Sequence, residues 1–270
     1  QLDCPADYRV KGGCRMKANK FVFSKLFRER RLTINYVDIG ARGDVGLPWA
    51  SFDQSSIRVI GFEPDPIEAA ALSAKFPGRK YYQAALWSGK STRIFHRNRW
   101  PQTSSMYPSN RGDNERFERQ HWEGRIEEAA IPVPCLPLDD VLDPADAPDF
   151  IKIDTQGSEF EILRGAAAIL RRHAPMVLAE SWCEEVYSGV PMTHDIMTFM
   201  YSLGYRLFDL NVAAAWRHAT KTALRSTLKG RLSGLDLLFV KDHRNLADLS
   251  QDQFLKHVGL CELFGFRDYG

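Results

Sequence analysis

Nothing in this sequence approaches the ~18–20 consecutive apolar residues of a membrane-spanning helix, and no secretory signal pattern is visible. Cysteine is sparse and scattered: Cys4, Cys14, Cys135, Cys183 and Cys261 are odd in number and form neither a CxxC pair nor a Cys/His metal spacing. Reduced thiols are expected, with Cys4–Cys14 the one conceivable bridge, and the expected location is cytoplasmic. A GxGxxG turn and a YxxxK pair are both missing, which counts against the rival reading of a nicotinamide-dependent oxidoreductase on a Rossmann-like fold. A strong charge of one sign is missing too. With a net charge of +2 and no RNA-binding motif, a nucleic-acid partner is not expected.

What is present is ordinary globular composition: 270 residues, 44% hydrophobic and 26% charged, enough to bury a core without staples. From residue 34 onward short apolar runs alternate with helix-compatible segments. Strands are expected at 34–39, 57–62, 80–85, 149–154, 175–180, 205–209 and 235–240, and helices at 66–75, 158–171 and 192–203. The strands lack strict alternation, as strands buried on both faces do, so the fold class is α/β with a mostly parallel sheet and helices on both faces. The expected organisation is a basic helical extension at 1–33, a main domain at 34–243 and a helical tail at 244–270. The main domain carries insertions at 90–131 and 211–234. The 90–131 segment, too long for a plain connection, reads as a substrate-facing lid or as a disordered surface loop.

The first strand runs into "YVDIGARGDVG", where Gly40, Gly43 and Gly46 follow Asp38. A carboxylate at Asp38 would repel a pyrophosphate but suits a ligand with an ammonium group, which favours S-adenosylmethionine over NAD. The second strand ends "GFEPDP". Its Glu63, 25 residues after Asp38, can accept hydrogen bonds from ribose hydroxyls of either ligand. Pro64 and Pro66 stop that strand and start the next helix.

The blocks "VDIGARGDVG", "IGFEPDP", "AALW", "FIKIDTQGSEFEILRGA" and "LAE" stand in the order and spacing of the FkbM family of S-adenosylmethionine-dependent methyltransferases. The resemblance covers about residues 34–210, and "KIDTQGSE…ILRGA" is its most specific part. It implies a class I methyltransferase (Rossmann-like) fold, a seven-stranded sheet whose last strand, here LDLLFV, is antiparallel. It also implies O-methylation of a sugar, glycan or secondary metabolite. The cofactor site it points to comprises Asp38, Gly40, Ala41, Arg42, Gly43, Glu63, Pro64, Ala84 and Ala85.

Methylating an unactivated hydroxyl requires a proton acceptor. Asp154, at the tip of the fourth strand, and Glu180, at the tip of the fifth, are the candidate base and orienter. Asp154 capping the next helix is the plainer alternative. The same pair as ligands of a divalent cation is not favoured, because two carboxylates are few for Mg²⁺ or Ca²⁺. His96 and His194 are further candidate bases. Glu159 is read as holding backbone amides or substrate, and Trp182 as stacking on a sugar or packing in the core.

Charge is concentrated in two places. Residues 1–33 hold nine Lys/Arg against Asp3, Asp7 and Glu29. Residues 211–235 contain no acid, and Arg217, Lys221, Arg225 and Lys229 recur every four residues. Read as an amphipathic helix, this segment offers Arg217 and Lys221 to an anionic or lipid-linked acceptor or to a membrane surface. Its alternative is a helix packed on the sheet with solvated charges. The expected partner is a small-molecule or saccharide acceptor. An oligomer is compatible with the sequence, and an RNA-binding methyltransferase is the remaining rival.

Overall fold

A computed structural model describes residues 23–49, 52–220, 229–247 and 249–269. Its strands are β1 (Ile34–Ile39), β2 (Ile57–Phe62), β3 (Lys80–Tyr82), β4 (Ala85–Leu86), β5 (Ser91–Asn98), β6 (Glu127–Leu136), β7 (Phe150–Ile153), β8 (Met176–Trp182), β9 (Tyr205–Trp216) and β10 (Arg231–Lys241). Its α-helices are α1 (Phe23–Arg30), α2 (Pro66–Lys75), α3 (Arg111–Asn114), α4 (Arg119–Trp122), α5 (Leu138–Val141), α6 (Glu159–Arg164), α7 (Ala167–His173), α8 (Thr193–Ser202) and α9 (Gln251–Leu263).

Seven strands form the main sheet in the order β3-β2-β1-β7-β8-β10-β9. All pairs from β3 to β8 are parallel, whereas β10 runs antiparallel between β8 and β9. This is the seven-stranded, mostly parallel sheet with an antiparallel last strand that the sequence blocks imply. Side chains alternate along β1. Val37 and Ile39 join a core with Ile162, Leu163, Leu170, Ile196 and Met200 of α6, α7 and α8. Ile34 and Tyr36 join a second core with Phe27 of α1 and Leu260 and Cys261 of α9. The period of two therefore splits one strand between two helical layers. At α2 the turn chemistry is local: Asp65 accepts from the amides of Ile67 and Glu68, with Pro66 opening the helix.

Several elements differ from the sequence expectation. The run 80–85 is not one strand: the Tyr82 carbonyl accepts from the Glu63 amide in the main sheet, and β4 then pairs with β6. The helix expected over 158–171 breaks at Gly165 and Ala166. The Gly165 carbonyl there accepts from the Asp139 amide, and a Cβ at Gly165 would lie 2.1 Å from the Trp87 carbonyl oxygen. Much of 90–131 is built into a three-stranded sheet, β4-β6-β5, with α3 and α4 between β5 and β6. The helix reading of 211–235 is wrong where it can be inspected: Asn211–Trp216 belong to β9 and Arg231–Leu235 to β10, paired antiparallel. Lys221 and Arg225 lie outside the described residues, as do residues 1–22 of the basic arm. Among the described residues no helix is long and apolar enough to cross a membrane.

Candidate active site

The carboxyl ends of β1, β2 and β7 are tied together by backbone bonds. Gly40 and Ala41 both donate to the Phe62 carbonyl, and the Asp154 amide donates to that of Ile39. Close approach there requires glycine: Gly40 has φ +78°, and a Cβ on it would fall 2.1 Å from the Asp154 carbonyl oxygen. Over these strand ends opens a cleft of about 530 Å³, lined among others by Gly40, Arg42, Glu63, Pro64, Ala85 and Asp154. That position matches a small-molecule site at the carboxyl end of a doubly wound sheet.

Glu63 is 2% exposed, and its Oε1 accepts from the Asp65 amide at 2.9 Å. Burial pushes its carboxyl up to about 7, although that amide and Arg42 pull the other way. Arg42 itself donates to the Pro101 carbonyl at 3.1 Å, bringing the segment after β5 over the cleft. Asp38 is buried, and its Oδ1 has no hydrogen-bond partner. Burial raises its pKa, against the opposing pull of Lys152, whose Nζ stands 3.6 Å away. Of the other cofactor candidates, Ala41 and Ala84 pack near the strand ends, and Gly43 (φ +75°) faces open space.

Ile153 pairs with Ala179, so the next residues, Asp154 and Glu180, stand side by side. Asp154 lines the cleft with its side chain 44% exposed. Glu180 lies inside β8, which continues to Trp182, so it does not end its strand as the sequence suggested. Burial, followed by the neighbouring Asp154, Glu159 and Asp236, raises its pKa well above the usual carboxylate range. Two residues missed by sequence reasoning contact Asp154, and the second bridges it to Glu180. Lys152 places Nζ 3.3 Å from Asp154 Oδ2. Burial would lower its pKa, but Asp38 and Asp154 outweigh that and raise it. Gln156 donates through Nε2 to Glu180 Oε2 at 2.7 Å and to Asp154 Oδ1 at 3.3 Å, while its Oε1 accepts from the Tyr187 hydroxyl at 3.1 Å. Gln156 has φ +59°, an uncommon conformation for a residue with a Cβ and one that clusters at functional sites. The spacing K-I-D was a legible signal for Lys152, since residues two apart share a strand face.

The remaining candidates fall elsewhere. His96 Nδ1 sits 2.6 Å from Glu127 Oε2 on the small sheet, and His194 is exposed beside Asp195; neither lines the cleft. Glu159 holds backbone: its carboxylate accepts from the amides of Thr155 and Gly157 and from the Thr155 hydroxyl, fixing the turn after β7. Trp182 is 1% exposed and packs edge-on to Tyr187, so the sugar-stacking reading gives way to core packing. Arg217 is bound to Glu118 through Nε and Nη2 at 3.1 and 3.0 Å. Among the described residues no group of three or more His, Cys, Asp or Glu is arranged to hold a metal ion.

The burial of Glu63 gives a testable pH dependence. With a folded pKa near 7 against an ordinary 4.5, the folded chain holds this proton more tightly than the unfolded one. The favourable contribution is full below about 4.5 and is lost as pH rises through about 7. Glu63→Gln without ligand should therefore melt several degrees above the wild type at pH 8 and level with it at pH 5. A difference that does not change with pH would show that Glu63 carries no such strain.

The family model for the methyltransferase FkbM domain matches residues 38–207. Among solved structures, a methyltransferase FkbM from Methylobacillus flagellatus KT aligns at 19% identity and TM-score 0.43, over 76% of this chain and 43% of that one. A TehB-like SAM-dependent methyltransferase from Corynebacterium glutamicum aligns at 12% and 0.37, over 83% and 90%. A magnesium protoporphyrin IX methyltransferase from Synechocystis PCC 6803, with bound SAM, aligns at 10% and 0.39, over 80% and 74%. The chain thus spans less than half the length of the first of these. A search of curated proteins finds no significant match.

Proposed function

The chain belongs to the FkbM methyltransferase family, and on that premise we propose an S-adenosylmethionine-dependent O-methyltransferase acting on a hydroxyl of a sugar, glycan or secondary metabolite. The observation that carries this reading is the position of Asp154, a half-exposed carboxylate on the wall of the same cleft as Glu63. The donor set suits the cofactor. Glu63 keeps Oε2 for ribose hydroxyls while Oε1 is held by Asp65, and Asp38, whose Oδ1 already faces the Lys152 ammonium at 3.6 Å, stands two residues before Gly40 on β1. Gly40, Arg42, Pro64 and Ala85 would line the bound molecule. When bound, S-adenosylmethionine supplies an electrophilic methyl on a good leaving group.

The protein's own tasks are then to align the acceptor oxygen, exclude water and take a proton. Asp154 takes the proton from the hydroxyl, its carboxylate held by Lys152 at Oδ2 and by Gln156 at Oδ1. Glu180, where burial and the neighbouring acids favour the neutral form, anchors the Gln156 amide.

Two measurements test the reading. S-Adenosylhomocysteine should raise the melting temperature of the wild type by ligand linkage, and Glu63→Ala should lose most of that shift. Stabilisation by NADH alone would overturn the cofactor assignment. A screen of sugars, nucleotide sugars and glycans read by product mass should find one methyl added on oxygen. Methylation confined to nitrogen or carbon would overturn the O-methyl reading.

A further inference from the structure

Beside the main cleft lies a second one of about 600 Å³, whose lining includes Arg111, Trp122, Arg125 and Glu127. Three of its four charged or aromatic walls are already engaged. Arg111 Nε bonds Glu115 at 2.7 Å, Glu127 bonds His96, and the Trp122 indole donates to the Phe117 carbonyl, leaving its ring as a wall.

Arg125 is different. Its guanidinium donates to three uncharged oxygens: the Tyr187 hydroxyl at 3.1 Å, the His121 carbonyl at 2.8 Å and Gln156 Oε1 at 3.4 Å. Among the described residues no carboxylate forms an ion pair with it. It sits instead among the rings of Trp216, Trp182 and Tyr187, at 5.0, 5.5 and 5.7 Å. A guanidinium has five N–H donors, so two remain here, and a partly buried cation with no carboxylate in ion-pair contact, Glu180 acting on it only from further away, favours a ligand that brings an anion. The Gln156 that Arg125 touches also lines the main cleft, so the two sites share a wall.

Resting on the methyl-transfer reading, we propose that Arg125 receives an anionic group of the acceptor, whose class is then an acidic saccharide, a uronate or a sugar phosphate. Two free N–H groups match paired carboxylate or phosphate oxygens, and the Trp122 ring suits a sugar face. With its anion at Arg125, the acceptor would reach past Gln156 toward Asp154. Arg217, given this role from the sequence, is already occupied by Glu118.

Calorimetric titration of the S-adenosylhomocysteine complex with methyl glucuronide, glucose 6-phosphate and methyl glucoside tests this. One of the anionic probes should bind about 10–100-fold more tightly than methyl glucoside, the worth of a charged hydrogen bond, and added salt should weaken it. Which anionic probe wins distinguishes carboxylate from phosphate. Arg125→Gln should bind all three equally poorly with unchanged affinity for S-adenosylhomocysteine, whereas Arg111→Gln should keep the preference. Equal binding in the wild type, no anionic binding at millimolar concentration, or a preference that survives Arg125→Gln would each overturn the proposal. If Arg125→Gln does not fold, the wild-type preference and the Arg111→Gln control still decide. A preserved preference without any methyl transfer would sink the enzymatic reading and leave this one standing.

Discussion

Asp154→Asn should bind S-adenosylhomocysteine as the wild type does and turn over about 10²–10⁴-fold more slowly, the usual worth of a positioned general base. The substitution keeps the shape of the side chain but puts an NH2 in place of one of the two oxygens that accept from Lys152 and Gln156, so one of those contacts is lost along with the proton acceptor and the charge. Glu180 cannot take over. Its Oε2 is occupied by the Gln156 amide, and burial favours its neutral form. Glu180→Gln should accordingly cost less, acting through the placement of Gln156. The competing version, a divalent cation shared by Asp154 and Glu180, predicts loss of wild-type activity in EDTA and its return with Mg²⁺ or Mn²⁺. Full activity of Asp154→Asn would leave neither version standing and return attention to His96 and His194, despite their distance from the cleft lining.

The parallel half of the sheet was legible because its information is local. β1, β2 and α2 carry their own stop signals, such as the Glu-Pro-Asp-Pro turn, and their boundaries agree with the sequence reading. Segment 211–235 was not legible, for the opposite reason. Alanine-rich and free of acids, "NVAAAW" has good local helix propensity, but pairing with β10 along its whole length decides for strand. The strand's outer positions, such as Leu210 and Val212 at 47% exposure, give no alternating pattern to reveal it. The candidate site divides in the same way. Glu63 and Asp154 were visible as acids at strand ends. Arg125, Gln156 and Tyr187 lie as far as 62 residues apart, and only the packing of segment 90–131 against β8 and the turn after β7 brings them into contact.

Gly40 provides the other large effect, because it joins stability to the site in one residue. In Gly40→Ala the new methyl meets the backbone of Asp154, with the carbonyl oxygen at 2.1 Å and the carbon at 3.0 Å, and neither can rotate away as a side-chain tip would. The left-handed conformation adds about 1–2 kcal/mol of its own. Relief requires the end of β1 to move away from the end of β7, which separates the Gly40 loop from Asp154. A displacement of that kind typically costs about 10²-fold in rate, and cofactor affinity should fall with it. Gly43→Ala is the matched control: its φ is also positive at +75°, yet a Cβ there meets nothing within 4 Å. It should carry only the conformational cost, a fall in melting temperature of about 2–8 °C for ~1–2 kcal/mol in a chain of this size, with turnover close to wild type. Equal losses in the two variants would mean that backbone conformation alone, and not the contact between the ends of β1 and β7, sets the geometry of the cleft.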